Sequence, residues 1–363
     1  MTIKAFLYEP IKQLSQNYEI SAICNIPGNE SVDWLGSWAT PIHISIERKI
    51  SLLKDIKSLF CLIREFSKNR YDAVHSVTPK AGLLAMLAAF ICRIPVRTHT
   101  FTGQVWVTKT GIKRKFLKSF DWLIAKLATH VLVDSNSQLR FLIGEGVVSE
   151  NHAQVLAEGS ISGVDVTRFS PDAASRASIR ERFGLNSHDV LILYLGRLTY
   201  DKGLYDLASA FARIPSQQAH LLIVGPDEDN MRQELLNLAG DSQGRMHFVG
   251  FTNEPERFMA AADIFCLPSY REGFGSVIIE AAAVGIPAIG SDIYGISDAI
   301  EHNTSGLLFS PRDSNKLAFQ LDLLIADSEL RLRLGMQARA RAIAKFSSEY
   351  VSRAWLDYYQ RIL

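Results

Sequence analysis

The sequence is short of cysteine. It has four in 363 residues, at Cys24, Cys61, Cys92 and Cys266, with no Cys-x-x-Cys spacing and no histidine cluster beside them. That excludes a disulfide framework, argues against a structural zinc site and fits a reducing cytoplasm. Long apolar runs are also missing. The longest, AGLLAMLAAFIC at 81–92, falls well short of the roughly 20 residues that cross a bilayer. The opening MTIKAFLYEP lacks the basic and apolar regions of a signal peptide. No low-complexity tract or short-period repeat appears. Net charge is only +1, so no strong field points to nucleic acid.

What is present is an ordinary globular composition, 47% hydrophobic and 21% charged, at a length suited to two domains. The charge is unevenly divided. Residues 1–165 carry 19 basic and 14 acidic side chains, and the remainder 20 and 24, so the first part is the one suited to an anionic surface.

Short apolar runs alternate with helical periods. In the first part the pattern predicts strands at Ile3–Tyr8, Glu19–Cys24, Ala73–His75, Arg97–His99 and Val131–Val133. Helices fall between them at Ser51–Lys68, Lys80–Phe90, Ile112–Ala128 and Gln138–Ile143. In the second part, strands are predicted at Val190–Leu195, Leu221–Val224, His247–Val249, Ile264–Leu267 and Ala288–Ile289, each followed by a turn and a helix. This alternation implies an α/β fold with parallel sheets and crossover helices, whose ligands bind beyond the carboxyl ends of the strands. The Gly-, Ser- and Pro-rich join GSISGVDVTRFSPD divides the chain into domains at 1–165 and 166–347. A last helix, 348–363, with Trp355, Tyr358 and Tyr359, is expected to cross back to the first domain.

Two stretches carry chemistry. In LYLGRLTYDKG, 193–203, a strand ends at a glycine turn and Arg197 and Lys202 flank the loop into a helix. Two cations beside a helix N-terminus suit a diphosphate; the alternative is a solvated loop with ordinary surface charges. In REGFGSVIIEAAAVGIP, 271–287, Gly273 and Gly275 permit close backbone approach, and Ser276 opens a helix that favours an anion. Glu280, inside an apolar run, needs a partner if buried. Vicinal sugar hydroxyls fit, since a carboxylate accepts two hydrogen bonds; a buried arginine is the alternative.

With ISGVDVTRF before both stretches, GRLTYDKG followed by SYREGFGSVIIEAAAVGIPAIGSDIYGISDAI resembles the family-4 glycosyltransferases over nearly the whole second half. VRTHTFTGQVWVTKTG, 96–111, resembles the members that build bacterial surface polysaccharides. The resemblance implies the GT-B fold, two Rossmann-like domains with parallel sheets facing a central cleft, and retention at the sugar carbon. It implies that Glu272 lies near the transferred sugar, that Glu280 holds the nucleotide ribose, and that Arg197 and Lys202 clamp the diphosphate. Gly196, Gly225, Phe274, Gly275 and Ser276 would border the donor, and His99 would stand beside the transferred sugar. His75 and Lys80, around the loop 76–80, are candidates for an acceptor phosphate. Two departures stand out. YEPIKQLSQN has no glycine where many members carry a glycine-rich phosphate loop, and Asp298 stands where a glutamate is common.

In KTGIKRKFLKSFDWLIAKLA, 109–128, Ile112, Phe116, Phe120, Leu123, Ile124 and Leu127 recur at helical spacing behind Lys113, Arg114, Lys115 and Lys118. Such a helix either lies on an anionic membrane or packs in a core with a solvated basic face. The expected protein is then a cytoplasmic transferase on the inner face of the cell membrane. It moves a sugar from a nucleotide-diphosphate donor, with a UDP-sugar favoured, to a polyprenyl-diphosphate-linked acceptor in O-antigen, capsule or exopolysaccharide synthesis. No cofactor, metal or nucleic acid is called for. The rivals are a soluble small-molecule acceptor, a GT-B-fold sugar-nucleotide 2-epimerase, and a silent carbohydrate-binding subunit that would have lost some of Arg197, Lys202, Glu272 and Glu280.

Overall fold

The computed structural model describes residue 3 and residues 6–26, 32–47 and 51–363. The chain forms two compact units, Met1–Gly163 with Ser348–Leu363, and Val164–Ser347.

The first unit runs α1 (Tyr8–Leu14), β1 (Ser21–Cys24), β2 (Thr40–His43), α2 (Leu52–Lys68), β3 (Ala73–Val77), α3 (Pro79–Ile91), β4 (Val96–Phe101), α4 (Gly111–Leu127), β5 (His130–Val133), α5 (Asn136–Gly144) and β6 (Ala153–Val155). Strands β3-β4-β5-β6 make one parallel sheet, and β1-β2 a separate parallel pair. Because β3, β4 and β5 are added in one direction by right-handed crossovers, α3 and α4 share a face of the sheet; α2 packs on α3 and α3 on α4.

The expected strand Ile3–Tyr8 does not form. Ile3 and Phe6 are helical and α1 begins at Tyr8, while Lys4 and Ala5 lie outside the described residues. The helical period Leu7, Ile11, Leu14 sets one apolar face, and Leu7 and Leu14 join the cluster around Trp355, Tyr358 and Tyr359. Pro10 is tolerated in the first turn, where no intrahelical donor is lost. YEPIKQLSQN is therefore mostly helix rather than an open loop. Strands β2 and β6 had no clear alternation in the sequence.

The second unit runs α6 (Ala173–Arg182), β7 (Val190–Leu195), α7 (Leu204–Phe211), β8 (Ala219–Val224), α8 (Arg232–Ala239), β9 (Met246–Val249), α9 (Pro255–Ala261), β10 (Ile264–Leu267), α10 (Ser276–Val284), β11 (Ala288–Ser291), α11 (Ile296–Ala299), β12 (Gly306–Phe309), α12 (Ser314–Ala326) and α13 (Ser328–Phe346). Its six parallel strands lie in the order β12-β11-β10-β7-β8-β9. Strands VLILYL and IFCL are buried nearly throughout, as a central parallel strand covered on both faces requires. The winding reverses between β7 and β10, and this switch point is where open α/β sheets bind ligands.

The last helix, α14 (Ser348–Ile362), belongs to the first unit. It packs on α1, and Trp355 Nε1 donates to the Ile161 carbonyl at 2.9 Å.

Candidate functional site

The second unit gathers its candidates at the carboxyl ends of β7, β8 and β10. After β7 the chain turns through Gly196 and Arg197, then a short 3-10 turn, Tyr200–Lys202, before α7. Gly203 closes that turn with φ +69°, and a Cβ there would lie 2.0 Å from the Pro268 carbonyl oxygen. Only glycine lets the Lys202 loop meet the exit of β10 this closely. Gly225, with φ +146°, plays the same part at β8, where a Cβ would sit 1.9 Å from the Gly196 oxygen.

The β7 and β10 loops are joined by charge. Lys202 Nζ forms an ion pair with Glu272 Oε1, which also accepts from Ser269 Oγ at 2.9 Å. Beside them Arg271 donates to Asp201 Oδ2 through Nε at 3.1 Å and Nη2 at 3.0 Å, and the Tyr270 amide donates to the Asp201 carbonyl at 2.8 Å. Arg197 turns elsewhere: its Nη1 pairs with Glu228 Oε2 at 2.8 Å, with both side chains well exposed. The structure therefore brings Lys202 and Glu272 together, and gives Arg197 a different partner.

Gly275 caps α10 at φ +75° and Ser276 is its first residue. The Phe274 ring turns into the core, 5.3 Å from Phe346, and Phe274 and Gly275 are both buried. Glu280, one turn into α10, has no hydrogen-bond partner among the described residues. Arginine does not neutralise it directly, because the nearby Arg168 is committed to Glu256 at 2.8 Å. Burial pushes the Glu280 carboxyl up to about 7, against the opposing pull of Arg168 and with a smaller push from Glu256. Asp298 lies on α11, and its carbonyl accepts from Arg341 Nη2 at 2.7 Å.

An Asp-Glu-Asp run at 227–229 resembles a metal motif, but its acids are in use. Asp227 accepts the Met231 and Arg232 amides at 2.8 and 3.1 Å, Asp229 accepts the Tyr200 amide at 3.0 Å, and Glu228 holds Arg197. Among the described residues, no group of three or more His, Cys, Asp or Glu is placed to hold a metal.

His75, Lys80 and His99 lie in the first unit. Both His75 nitrogens are engaged, Nδ1 with Tyr359 Oη at 2.6 Å and Nε2 with Thr100 Oγ1 at 2.8 Å, and its ring stacks on Trp355. Lys80, in the first turn of α3, pairs with Asp55 at 2.5 Å. His99 is buried on β4, with Nδ1 2.8 Å from Ser76 Oγ and its ring edge-on to Phe101. Burial pushes both imidazoles down to about 3, so both are neutral at ordinary pH.

Three contributors were not singled out from sequence. Ser76 fixes the His99 ring. Gly82 makes room for it, since a Cβ there would lie 2.3 Å from His99 Cε1. Asp134 follows β5 directly; it is buried, its Oδ1 has no partner, and burial raises its carboxyl to about 8. An acid ending the apolar run VLV at a strand's carboxyl end was the available signal.

The switch-point loops of the second unit present three ion-paired cations, Lys202, Arg197 and Arg271, a glycine-bordered backbone and, on α10, a carboxylate with no hydrogen-bond partner among the described residues. That arrangement can hold a diphosphate and a vicinal diol side by side.

Residues 175–341 match the glycosyl transferases group 1 family and residues 17–159 the glycosyl transferase 4-like domain. The capsular polysaccharide biosynthesis glycosyltransferase CapM of Staphylococcus aureus is 31% identical over 312 residues, covering 85% of this chain and 81% of its own. The UDP-Gal:alpha-D-GlcNAc-diphosphoundecaprenol alpha-1,3-galactosyltransferase of Escherichia coli is 28% identical over 330 residues, covering 88% and 83%. Among solved structures, Anabaena Alr3699/HepE in complex with UDP-glucose superposes with a TM-score of 0.80 at 19% identity, covering 99% and 95%. The chain belongs to the group 1 glycosyltransferases and has their GT-B fold of two Rossmann-like units.

Proposed function

We propose that this glycosyltransferase moves a sugar, with retention at the sugar carbon, from a UDP-sugar to a polyprenyl-diphosphate-linked sugar in bacterial surface-polysaccharide synthesis. The observations that support the donor half are the Lys202–Glu272 pair at the loops after β7 and β10 and, on the helix that follows, Glu280 with no hydrogen-bond partner among the described residues. As the sugar–phosphate bond breaks, negative charge grows on the leaving diphosphate. Lys202 and Arg197 are the cations available to it, and each must exchange a carboxylate partner for phosphate oxygens. Glu272, freed from Lys202, then faces the sugar. Glu280 accepts the ribose hydroxyls, and His99, as a neutral imidazole, hydrogen-bonds the transferred sugar. The committed carboxylates of 227–229 favour a reaction that needs no divalent metal.

The acceptor half is supported by one relative named for capsular polysaccharide biosynthesis and another for a diphosphoundecaprenol-linked substrate, and by the basic helix at 109–128, which we assign to an anionic membrane surface on the cytoplasmic side. His75 and Lys80 are weaker acceptor candidates, because each is already engaged.

Thermal-shift screening with UDP-, GDP- and dTDP-sugars tests the donor, since a ligand that binds only the folded state raises its apparent stability. Turnover on polyprenyl-diphosphate-linked sugars, with and without EDTA, tests the acceptor and the metal. Stabilisation by UDP-sugars and EDTA-resistant transfer are expected. A flat response to every nucleotide would overturn the assignment, and product formed from nucleotide sugar alone would favour an epimerase.

A further inference from the structure

The outward layer of the first unit carries apolar side chains that the transfer reaction does not use. On α2, Leu52, Leu53, Ile56 and Phe60 are exposed, Leu53 by 84% and Phe60 by 67%. The inward face of the same helix is already satisfied by Leu62 and Phe66 in the core. Phe90 and Ile91 are exposed at the end of α3, and Ile112, Phe116 and Trp122 along α4. Single exposed apolar residues are ordinary, but four on one face of one helix, Leu52, Leu53, Ile56 and Phe60, mark a surface that something covers.

The charges of these helices say what covers it. Their three acids are all turned to internal partners. Asp55 accepts the Ser51 amide at 3.0 Å and pairs with Lys80, Glu65 accepts from Asn69 at 2.6 Å and Tyr71 at 2.8 Å, and Asp121 is buried against Trp106 Nε1 at 2.7 Å. The exposed charges are cations: Lys57, Arg64 and Lys68 on α2, and Lys113, Lys115 and Lys126 on α4. A second copy of this face would bring cations against cations. A bilayer with anionic headgroups satisfies both kinds of side chain at once.

We propose that α2 is the principal membrane-inserting element, its Leu52, Leu53, Ile56 and Phe60 entering the acyl boundary of an anionic leaflet while α4, on the other side of α3, meets the headgroups. This rests on the membrane part of the proposed function and moves the main contact from residues 109–128 to α2.

The test is co-sedimentation of the full-length protein with vesicles of phosphatidylcholine alone or with 30% phosphatidylglycerol, alongside sizing chromatography and thermal melting. Wild type is expected to bind only the anionic vesicles. Leu53→Ser/Ile56→Ser/Phe60→Ser should lower partitioning by at least about tenfold at unchanged melting temperature. Ile112→Ser/Phe116→Ser should lower it less. Phe60→Trp, a gentler change, should gain fluorescence that doxyl-labelled lipid quenches. If the α2 variant binds like wild type while the α4 variant does not, the role of α2 is overturned and the assignment of 109–128 stands. Absence of wild-type binding overturns both but leaves donor turnover untouched. An α2 variant that turns a dimer into a monomer overturns the lipid in favour of a second copy.

Discussion

The two sheets end in polar edges of opposite character. At the carboxyl edge of the six-stranded sheet the side chains are charged and paired with one another, Lys202 with Glu272 and Arg271 with Asp201 largely buried, Arg197 with Glu228 more exposed. At the edge of the four-stranded sheet they are neutral and enclosed. His75 and His99 are held unprotonated by burial, and Asp134 is pushed toward its protonated form. One edge keeps its charges in pairs, which on the proposed function exchange a carboxylate for phosphate. The other excludes charge and offers fixed hydrogen-bonding groups, which suits hydroxyls.

The largest effect should come from removing a charge at the first edge. Lys202→Ala deletes the only cation paired with Glu272 among the described residues, and a lost preorganised group of this kind costs roughly 100- to 1,000-fold in kcat. Arg197→Ala should also lower kcat strongly, with a rise in KM for the donor. Steady-state kinetics, with circular dichroism to verify folding, checks both. Near-normal turnover in the two variants would remove the contrast between the edges, because the charged edge would then be only a solvated loop.

A second experiment sharpens the contrast at Glu280. Its carboxyl is raised to about 7 by burial, yet the proposed ribose contact needs the ionised form. Donor affinity should therefore climb as pH rises from 6 to 8, by up to about tenfold per pH unit below the pKa. The sign for stability is opposite. A carboxyl raised in the folded state stabilises the fold fully below its unfolded value, and this contribution is lost as pH rises through about 7. Bound nucleotide should offset the loss. In Glu280→Gln both slopes should flatten, as titration calorimetry and melting curves at three pH values would show. An unchanged slope in the variant assigns the titration to another group.

The charged edge was legible in the sequence because its chemistry is written in consecutive residues. GRLTYDKG and REGFGSVIIE each place a strand end, a glycine turn and charges within one stretch, and the buried runs VLILYL and IFCL set the strands between which they meet. The pairing of Lys202 with Glu272 was not legible, since it depends on how closely Gly203 approaches Pro268. The neutral edge was harder to read. Ser76, Gly82 and Asp134 come from β3, α3 and the residue after β5, and no spacing within one segment reveals that the missing side chain of Gly82 leaves room for His99. The same limit hid the outward face of α2, whose period fits a core helix equally well. The strand expected at Ile3–Tyr8 does not form because the helical period outweighs β propensity once α14 supplies an aromatic face for Leu7 and Leu14.

The smallest effect on turnover is expected at His75, where the comparison can be broken from the other side. Its two nitrogens tie β4 and α14 together through Thr100 and Tyr359, so its work is structural unless the acceptor displaces one of them. His75→Phe keeps the stacking on Trp355 but leaves the Tyr359 and Thr100 hydroxyls without that partner, at a cost of about 1–3 kcal/mol. A buried neutral imidazole stabilises the fold above its unfolded value near 6.5 and loses this as pH falls toward about 3. The variant should thus melt lower at pH 7 yet lose less on acidification, while kcat on the lipid-linked acceptor changes by less than about threefold, near 0.6 kcal/mol. A large rise in acceptor KM at unchanged stability would instead make His75 an acceptor ligand, and the neutral edge would then bind through a group now tied to the last helix.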